Sequence, residues 1–184
     1  MTSTFPRLTA DAAGHCRGTG PATSPLVLAE VIYQYRSLIG KCELGLGLDW
    51  DEIEQIGIIE SAFEPSVDDR RMSSGRRFRR EKVKLSARLR GDRINDQIDI
   101  SELGPGGLVI RHAPYVSRGE QVEVVIDGTD GTSYRFRARG IWLREDGDDY
   151  RVGLAFIGMP VRIHKVAVSR HEADVVDKIV AEAA

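Results

Sequence analysis

Residues 76–104 read RRFRREKVKLSARLRGDRINDQIDISELG, and the alternation in the first half of this stretch decides the fold class. Four apolar residues occur at every second position: Val83, Leu85, Ala87 and Leu89. The residues between them and after them are polar: Lys84, Ser86, Arg88 and Arg90. A period of two is typical of a strand with one face in a core and the other toward solvent. The stretch therefore predicts a half-buried β-strand.

Working outward from this strand, the same strand-like composition recurs downstream. Further strands are predicted at 96–101, 107–112, 121–126, 133–144 and 150–157. The connecting segments are rich in Gly, Asp and Pro, at 105–107, 128–131 and 145–148. Short strands separated by such turns predict a small antiparallel barrel. We therefore expect a mainly β fold with a six-stranded antiparallel barrel over residues 76–160.

The segment before the barrel has helical periodicity. Ser24 is a good N-cap and Pro25 suits the first helical position, so a helix is expected to begin there and to stop near Gly40. Asp49 and Glu52 have the spacing of a capping box for a second helix. We predict an antiparallel helical hairpin over residues 24–64.

The remaining segments are assigned by composition. Residues 1–23 are rich in Gly, Pro and other small residues, and we predict a disordered tail. A polar linker is predicted at 65–75. Residues 161–184 form a predicted C-terminal extension with a helix that begins at Ser169, where Glu172 completes a capping box.

The predicted hairpin has more apolar surface than two helices can bury against each other. Its stripe consists of Leu28, Val31, Ile32, Tyr35, Leu38, Ile39, Ile53, Ile56, Ile59 and Phe63. Such a stripe does not stay exposed in a soluble chain, so either the barrel or a second subunit must cover it. Because the polar linker would let the hairpin stand clear of its barrel, we expect a homodimer.

The charge of the chain is unevenly distributed. Residues 70–90 contain ten Lys or Arg and one acid, a net charge of +9, which leaves −11 on the rest of a chain whose total is −2. Such a concentration predicts an anionic partner, while a solvated basic linker is the alternative.

Two short motifs frame the first predicted hairpin of the barrel. Arg76 and Arg80 have the spacing Arg-x-x-x-Arg, and Asp99, Ser101 and Gly104 follow as Asp-x-Ser-x-x-Gly. Their order and separation resemble the two motifs of the PilZ domain family. The stretch 139–156 is also similar to the last barrel hairpin of that family. The resemblance covers roughly residues 75–160 and does not reach the helical hairpin.

The resemblance implies a PilZ-type barrel and a bacterial receptor for cyclic diguanylate (cyclic di-GMP), rather than an enzyme. It implies ligand-binding roles for Arg76, Arg80, Asp99, Ser101 and Gly104. Arg77, between the two motif arginines, is a further candidate for contact with phosphate, and the alternative is that it faces solvent or an acidic neighbour. An arginine fork suits phosphate oxygens and guanine O6 and N7, and a carboxylate can accept from guanine N1–H and N2–H. Relay to an unknown protein partner, as in motility regulation, follows from the same resemblance.

One departure from the family pattern concerns the glycines. Gly104 occupies the motif position, whereas Gly106 and Gly107 look like a family Gly-Gly pair displaced by an insertion. Pro105 fixes its own φ and restricts Gly104, so we expect this loop to be shifted relative to the family's loop.

Two rival functions stay open at this point. In the first, the chain is an adaptor with a PilZ fold that binds a protein and has little nucleotide affinity. In the second, the basic segment binds nucleic acid, although it contains no aromatic residue besides Phe78.

Other classes of function have no support in the sequence. The four histidines lack ligand spacing, so no metal is expected, and Asp99 and Ser101 lack a matched histidine for nucleophilic catalysis. Without a signal peptide or an apolar run of membrane-spanning length, we expect a cytoplasmic protein with no membrane span.

Overall fold

The computed structural model describes residues 24–65, 77–129 and 131–164. Two helices precede seven strands. The helices are α1 (Pro25–Glu43) and α2 (Trp50–Ala62). The strands are β1 (Glu81–Arg90), β2 (Asn95–Gly104), β3 (Gly107–Ala113), β4 (Gln121–Asp127), β5 (Thr132–Asp146), β6 (Asp149–Phe156) and β7 (Val161–His164).

Six antiparallel strands close into a barrel. The sheet order is β4-β1-β2-β3-β6-β5-β7, and an additional pairing between β4 and β5 closes the ring. The long strand β5 makes this possible because its first half pairs with β4 and its second half pairs with β6. β7 pairs with the start of β5, from Thr132 to Arg135. The predicted mainly β fold with a six-stranded antiparallel barrel is confirmed.

The alternating pattern of β1 places its apolar side chains in the core, as predicted. Leu85, Ala87 and Leu89 point into the barrel, where Leu89 is 0% exposed. Apolar residues of β2 to β6 complete the interior, and Phe136 stacks on Phe156 with 4.8 Å between the ring centroids. Burial of these side chains is the main stabilising contribution to the barrel.

Both helices of the hairpin begin as predicted, but α1 ends later. Gly40 was expected to stop α1, yet the helix continues to Glu43 and ends in a Schellman motif with Gly45 at φ +72°. Gly45 tolerates this left-handed conformation because it has no Cβ. Gly40 instead allows a close approach, since a Cβ there would lie 2.7 Å from the Cβ of Met159. The capping box of Asp49 and Glu52 is present at the start of α2.

The hairpin packs on its own barrel through α1. Leu28, Ala29, Ile32 and Tyr35 are buried in the same apolar cluster as the barrel interior. Arg36 also donates to the carbonyl of Gly158, at 2.8 Å, between β6 and β7. The barrel of the same chain therefore covers the apolar face of α1. Contrary to the prediction from the polar linker, α1 does not stand clear of its own barrel.

The second helix is covered only in part. Ile59 and Phe63, the residue directly after the end of α2, are buried, whereas Trp50 is 83% exposed and Ile53 and Ile58 are about half exposed. Lys41 of α1 pairs with Glu52 of α2, which ties the two helices together near their connection. One face of α2 thus packs inward while the opposite face presents apolar residues to solvent.

Some predictions concern residues outside the described ranges. The tail at 1–23, most of the linker at 65–75 and the C-terminal helix from Ser169 lie there, and so does Arg76. Within the described part of the chain, β7 was not predicted, because four residues are too few to establish a period. No helix among the described residues has the length and hydropathy to cross a membrane.

Candidate functional site

Arg80 of the first motif meets the second motif because β1 pairs with β2. Glu81 lies opposite Leu103 and Lys82 opposite Glu102, so the residues just before β1 lie beside the end of β2. The arginine segment, defined here as residues 77–80, therefore runs past Gly104 as it enters the barrel. This antiparallel register brings residues about 20 positions apart in sequence to one end of the barrel.

Gly104 makes room for the arginine segment. A Cβ on Gly104 would lie 2.6 Å from the carbonyl oxygen of Arg79 and 3.3 Å from the Cα of Arg80. Real Cβ atoms do not approach backbone this closely, so only glycine permits this path of the chain. Gly106 differs, because its nearest neighbour would be the Cδ2 atom of Phe78 at 3.7 Å, an ordinary contact. The geometry thus supports Gly104 as the motif glycine.

Replacing Gly104 tests this assignment. We expect Gly104→Ala to displace Arg79 and Arg80 and to weaken binding of the anionic ligand about fivefold, roughly 1 kcal/mol. Gly106→Ala is the matched control, and we expect it to bind as the wild-type protein does. Isothermal titration calorimetry of both variants checks this, and equal affinities would contradict the role assigned to Gly104.

Gly107 has a different part in the turn. Its φ is +150°, and a Cβ there would lie 2.1 Å from the carbonyl oxygen of Leu154 on β6. Gly107 therefore lets β3 lie close to β6 directly after the two-residue connection Pro105-Gly106. The second glycine of the apparent family pair thus has a packing role within the barrel.

Ser101 lies at an irregularity of β2. The register of β2 against β3 shifts between Ile100 and Glu102, so Ser101 is the extra residue. Its Oγ donates to the carbonyl oxygen of Val109 at 3.2 Å. Extra residues of this kind re-aim neighbouring side chains on a strand. Ser101 thereby marks the point where β2 bends toward the turn.

Asp99 lies two residues before Ser101 on the same strand, and its side chain is on the outer surface. It is exposed and lies opposite Ser86 on β1 and Arg111 on β3. By strand rise, five residues separate it from Gly104 by roughly 15 Å. Among the predicted site residues that the structure describes, Asp99, Ser101 and Gly104 therefore form an elongated strip along β2 rather than a deep pocket.

A row of outward residues continues the strip across the barrel. Glu102, Val109, Gly153 and Trp142 lie opposite one another on β2, β3, β6 and β5. The half-buried Trp142 ring covers Gly153, where a Cβ would lie 2.2 Å from the ring. This contact agrees with the packing role that its alternation with Ile141 and Leu143 suggests. Val109 is 1% exposed and Gly153 is buried, so Glu102 and Trp142 are the members of this row that reach the surface.

The guanidinium of Arg151 on β6 pairs with the carboxylate of Glu102, at 2.7 Å. The sequence did not single out this pair, because its members are 49 positions apart. The pair places a cation and an anion at the centre of the strip.

Arg77 turns toward the hairpin. Its Nη2 donates to Oε1 of Glu60 on α2 at 2.7 Å, and its guanidinium carbon lies 5.1 Å from the centre of the Phe78 ring. Glu60 also accepts from the hydroxyl of Tyr35 at 2.9 Å. A cleft of about 250 Å³ between α2 and the arginine segment is lined by Glu60, Ser61, Glu64, Arg77 and Phe78. Arg77 thus pairs with an acidic neighbour, and sequence analysis missed Glu60 and Tyr35 because no motif includes them.

The Tyr35 hydroxyl titrates abnormally. Burial and the hydrogen bond to Glu60 raise the pKa of Tyr35 from 10.0 to about 12. A phenol with a raised pKa contributes stability below its unfolded pKa of 10.0 and loses that contribution as the pH rises toward about 12.

Alkaline denaturation tests this coupling. Between about pH 9 and pH 11.5, we expect the free energy of unfolding to fall by roughly 2 kcal/mol more in wild type than in Tyr35→Phe. Urea unfolding at both pH values measures the difference. Parallel pH profiles for the two proteins would contradict the raised pKa of Tyr35.

The described ranges contain no group of three or more His, Cys, Asp or Glu side chains arranged to hold a metal ion. The candidate site is instead defined by guanidinium groups, one exposed carboxylate and a glycine that admits close backbone contact. Such a set is suited to an anion that also presents hydrogen-bond donors.

Comparison with known proteins identifies a family. The PilZ domain family model matches residues 74–169, which include both motifs and the whole barrel. Among solved structures, the chain is similar to the Borreliella burgdorferi PlzA protein in complex with c-di-GMP, with 14% identity and a TM-score of 0.35. That match covers 60% of this chain and 43% of PlzA, so the chain spans less than half of that protein. No significant match occurs among curated proteins.

Proposed function

The chain belongs to the PilZ domain family, and from this membership we propose that it is a cyclic di-GMP receptor. PilZ domains form a family of receptors for this dinucleotide, and PlzA, a similar structure, is described as a complex with c-di-GMP. The observation that carries the proposal is the close contact of Arg80, from the first motif, with Gly104 of the second motif. In this proposal the chain is a cytoplasmic signal receptor rather than an enzyme.

The chemistry of the strip supports a guanine dinucleotide. Arg80 and Arg76, with Arg77 beside them, supply permanently charged forks for the phosphates and for guanine O6 and N7. Asp99 is an exposed acceptor for the N1–H and N2–H edge, and Ser101 provides a hydroxyl nearby. A ligand with two phosphates and two bases is long. It therefore matches an elongated site better than it would match a compact site.

Calorimetric titration of the full chain with cyclic di-GMP tests the proposal. We expect a dissociation constant of about 1 μM or below, equivalent to roughly −8 kcal/mol. A short single-stranded oligonucleotide is the control for general anion binding. No heat at high micromolar cyclic di-GMP would reject the receptor and leave the protein-binding adaptor in its place.

Specificity for guanine should depend on Asp99. We expect Asp99→Ala to weaken cyclic di-GMP binding about fivefold without changing the fold, because this exposed carboxylate is not a core residue. Cyclic di-AMP should compete poorly, since adenine has N6–H₂ in place of O6 and lacks N2–H₂. A fluorescence competition assay compares the two dinucleotides. Equal competition would mean that only phosphate charge is recognised.

The exposed face of α2 is our proposed docking surface for a protein partner or a second copy. Trp50, 83% exposed, lies with Ile53 and Ile58 on this face. In this proposal, ligand binding at the arginine segment changes how the hairpin is held and so alters that face.

Light scattering of wild type and Trp50→Glu, with and without cyclic di-GMP, tests the homodimer. If wild type is monomeric at high concentration, the surface serves a different protein or none.

Recognition of nucleic acid by the basic segment has less support. Phe78, the aromatic residue within that segment, packs edge-on against Tyr35 with 5.6 Å between ring centroids. A ring engaged in this contact is not available as a stacking platform for bases. The oligonucleotide control above tests this alternative directly.

A further inference from the structure

The arginine segment lies between the helical hairpin and the β2–β3 turn. On the hairpin side, Arg77 pairs with Glu60, and the backbone N–H of Arg79 donates to the carbonyl oxygen of Phe63 at 2.9 Å. On the barrel side, Gly104 makes close backbone contact with Arg79 and Arg80. The segment is therefore held from both sides.

Phe78 is the central contact of this layer. One side of its ring meets Tyr35 of α1 edge-on, at an interplanar angle of 78°. Its Cδ2 atom lies 3.7 Å from the position of a Cβ on Gly106 in the turn. The guanidinium of Arg77 lies over the same ring. Phe78 thus joins both helices, through Tyr35 and the Arg77–Glu60 pair, to the motif loop.

Glu60 is the residue of the hairpin that connects these contacts. Its carboxylate accepts from both Tyr35, which is 2% exposed, and Arg77, whose side chain is 72% exposed. A carboxylate anchored to a buried hydroxyl has a defined position. It therefore provides a fixed counter-charge for the largely exposed Arg77 side chain.

We propose that Glu60 and Phe78 are positioning residues for the ligand site, so that the helical hairpin contributes to the affinity of the receptor for its ligand. This inference rests on the proposed function. A segment that is already held in place loses less conformational freedom when it binds, and affinity rises accordingly. Glu60 acts on the ligand through Arg77 and the arginine segment, without touching the ligand itself.

The coupling is reciprocal. If the docked hairpin strengthens ligand binding through the arginine segment, the ligand must strengthen hairpin docking by the same factor. The backbone hydrogen bond from Arg79 to Phe63 reports this directly, because its amide exchanges with solvent only when the segment leaves α2. Ligand should therefore slow exchange at Arg79.

Glu60→Gln in the full chain is the decisive variant, since it removes the charge and keeps the shape. Glu54→Gln is the matched control, because Glu54 is an exposed carboxylate of the same helix. Cyclic di-GMP is the titrant for both variants. We expect Glu60→Gln to weaken binding about three- to tenfold, and Glu54→Gln to bind as wild type.

Two readouts separate positioning from general destabilisation. In the absence of ligand, amide exchange at Arg79 should be faster in Glu60→Gln than in Glu54→Gln, while exchange in β3 and β6 stays unchanged. In an Arg77→Gln background, the further change Glu60→Gln should have no additional effect on affinity, because its route to the site has been removed. Phe78→Leu provides an independent second variant, with the same expected direction of weaker binding.

The outcomes are distinguishable. If wild type binds and Glu60→Gln binds equally well, the proposed function stands and the positioning role is wrong. Tighter binding by Glu60→Gln would also overturn it, since Glu60 would then compete with the ligand for Arg77. Failure of wild type to bind rejects the proposed function and this role together.

Discussion

Arg80→Ala should weaken cyclic di-GMP binding at least about tenfold, or roughly 1.4 kcal/mol, because a charge-assisted contact to the ligand is lost. Arg80 immediately precedes β1, and its Cα and Cγ lie against Gly104 of the second motif. Arg76→Ala should have an effect of the same size. Calorimetric titration with the dinucleotide measures both losses.

Lys84→Ala is the control for a general effect of positive charge. Lys84 lies on β1 four residues beyond Arg80, and its side chain is exposed on the barrel surface. It should bind the dinucleotide as wild type does, apart from a small effect that salt screens. Equal losses in Arg80→Ala and Lys84→Ala would indicate that the site recognises only overall charge. Circular dichroism melting of each variant checks that the barrel is intact.

Ile32→Ala should lower the free energy of unfolding of the whole protein by about 2–5 kcal/mol, because it leaves a cavity in the shared core. Ile32 is 0% exposed in the middle of α1, in the same apolar cluster as the barrel interior. Urea denaturation followed by circular dichroism measures this loss in a single cooperative transition.

Ile53→Ala makes the matched comparison on the other helix. Ile53 is 47% exposed on α2, so its truncation should cost under about 1 kcal/mol. A small effect of Ile32→Ala, or an early separate transition for the helices, would mean that the hairpin does not complete the barrel core. The hairpin would then be free to pack on a second copy, as its sequence suggested.

Much of the barrel follows from the sequence alone, because the pattern of each strand is local. The alternation from Val83 to Leu89 predicts which side chains of β1 enter the core, and Leu89 is fully buried there. The capping box of Asp49 and Glu52 likewise depends on residues three positions apart. Local rules of this kind do not require knowledge of what the element packs against.

Gly40 and Gly45 show what local sequence patterns do not predict. Gly40 has the usual signal of a helix stop, yet it lies inside α1, where Met159 occupies the space that a Cβ at this position would need. The helix ends instead at Gly45, where the left-handed turn forms. Met159 lies more than 100 positions from Gly40 in the sequence. No local pattern therefore shows that Gly40 allows close packing while Gly45 forms the turn that ends the helix.

The candidate site divides in the same way. The two motifs and their chemistry follow from the sequence, since charge and hydrogen-bonding capacity belong to the residues. The contact of Arg77 with Glu60, and the position of Phe78 between Tyr35 and the motif loop, follow from the three-dimensional packing. These contacts join segments 17 to 43 positions apart. Long-range packing, which no periodicity encodes, therefore determines how the hairpin and the arginine segment meet.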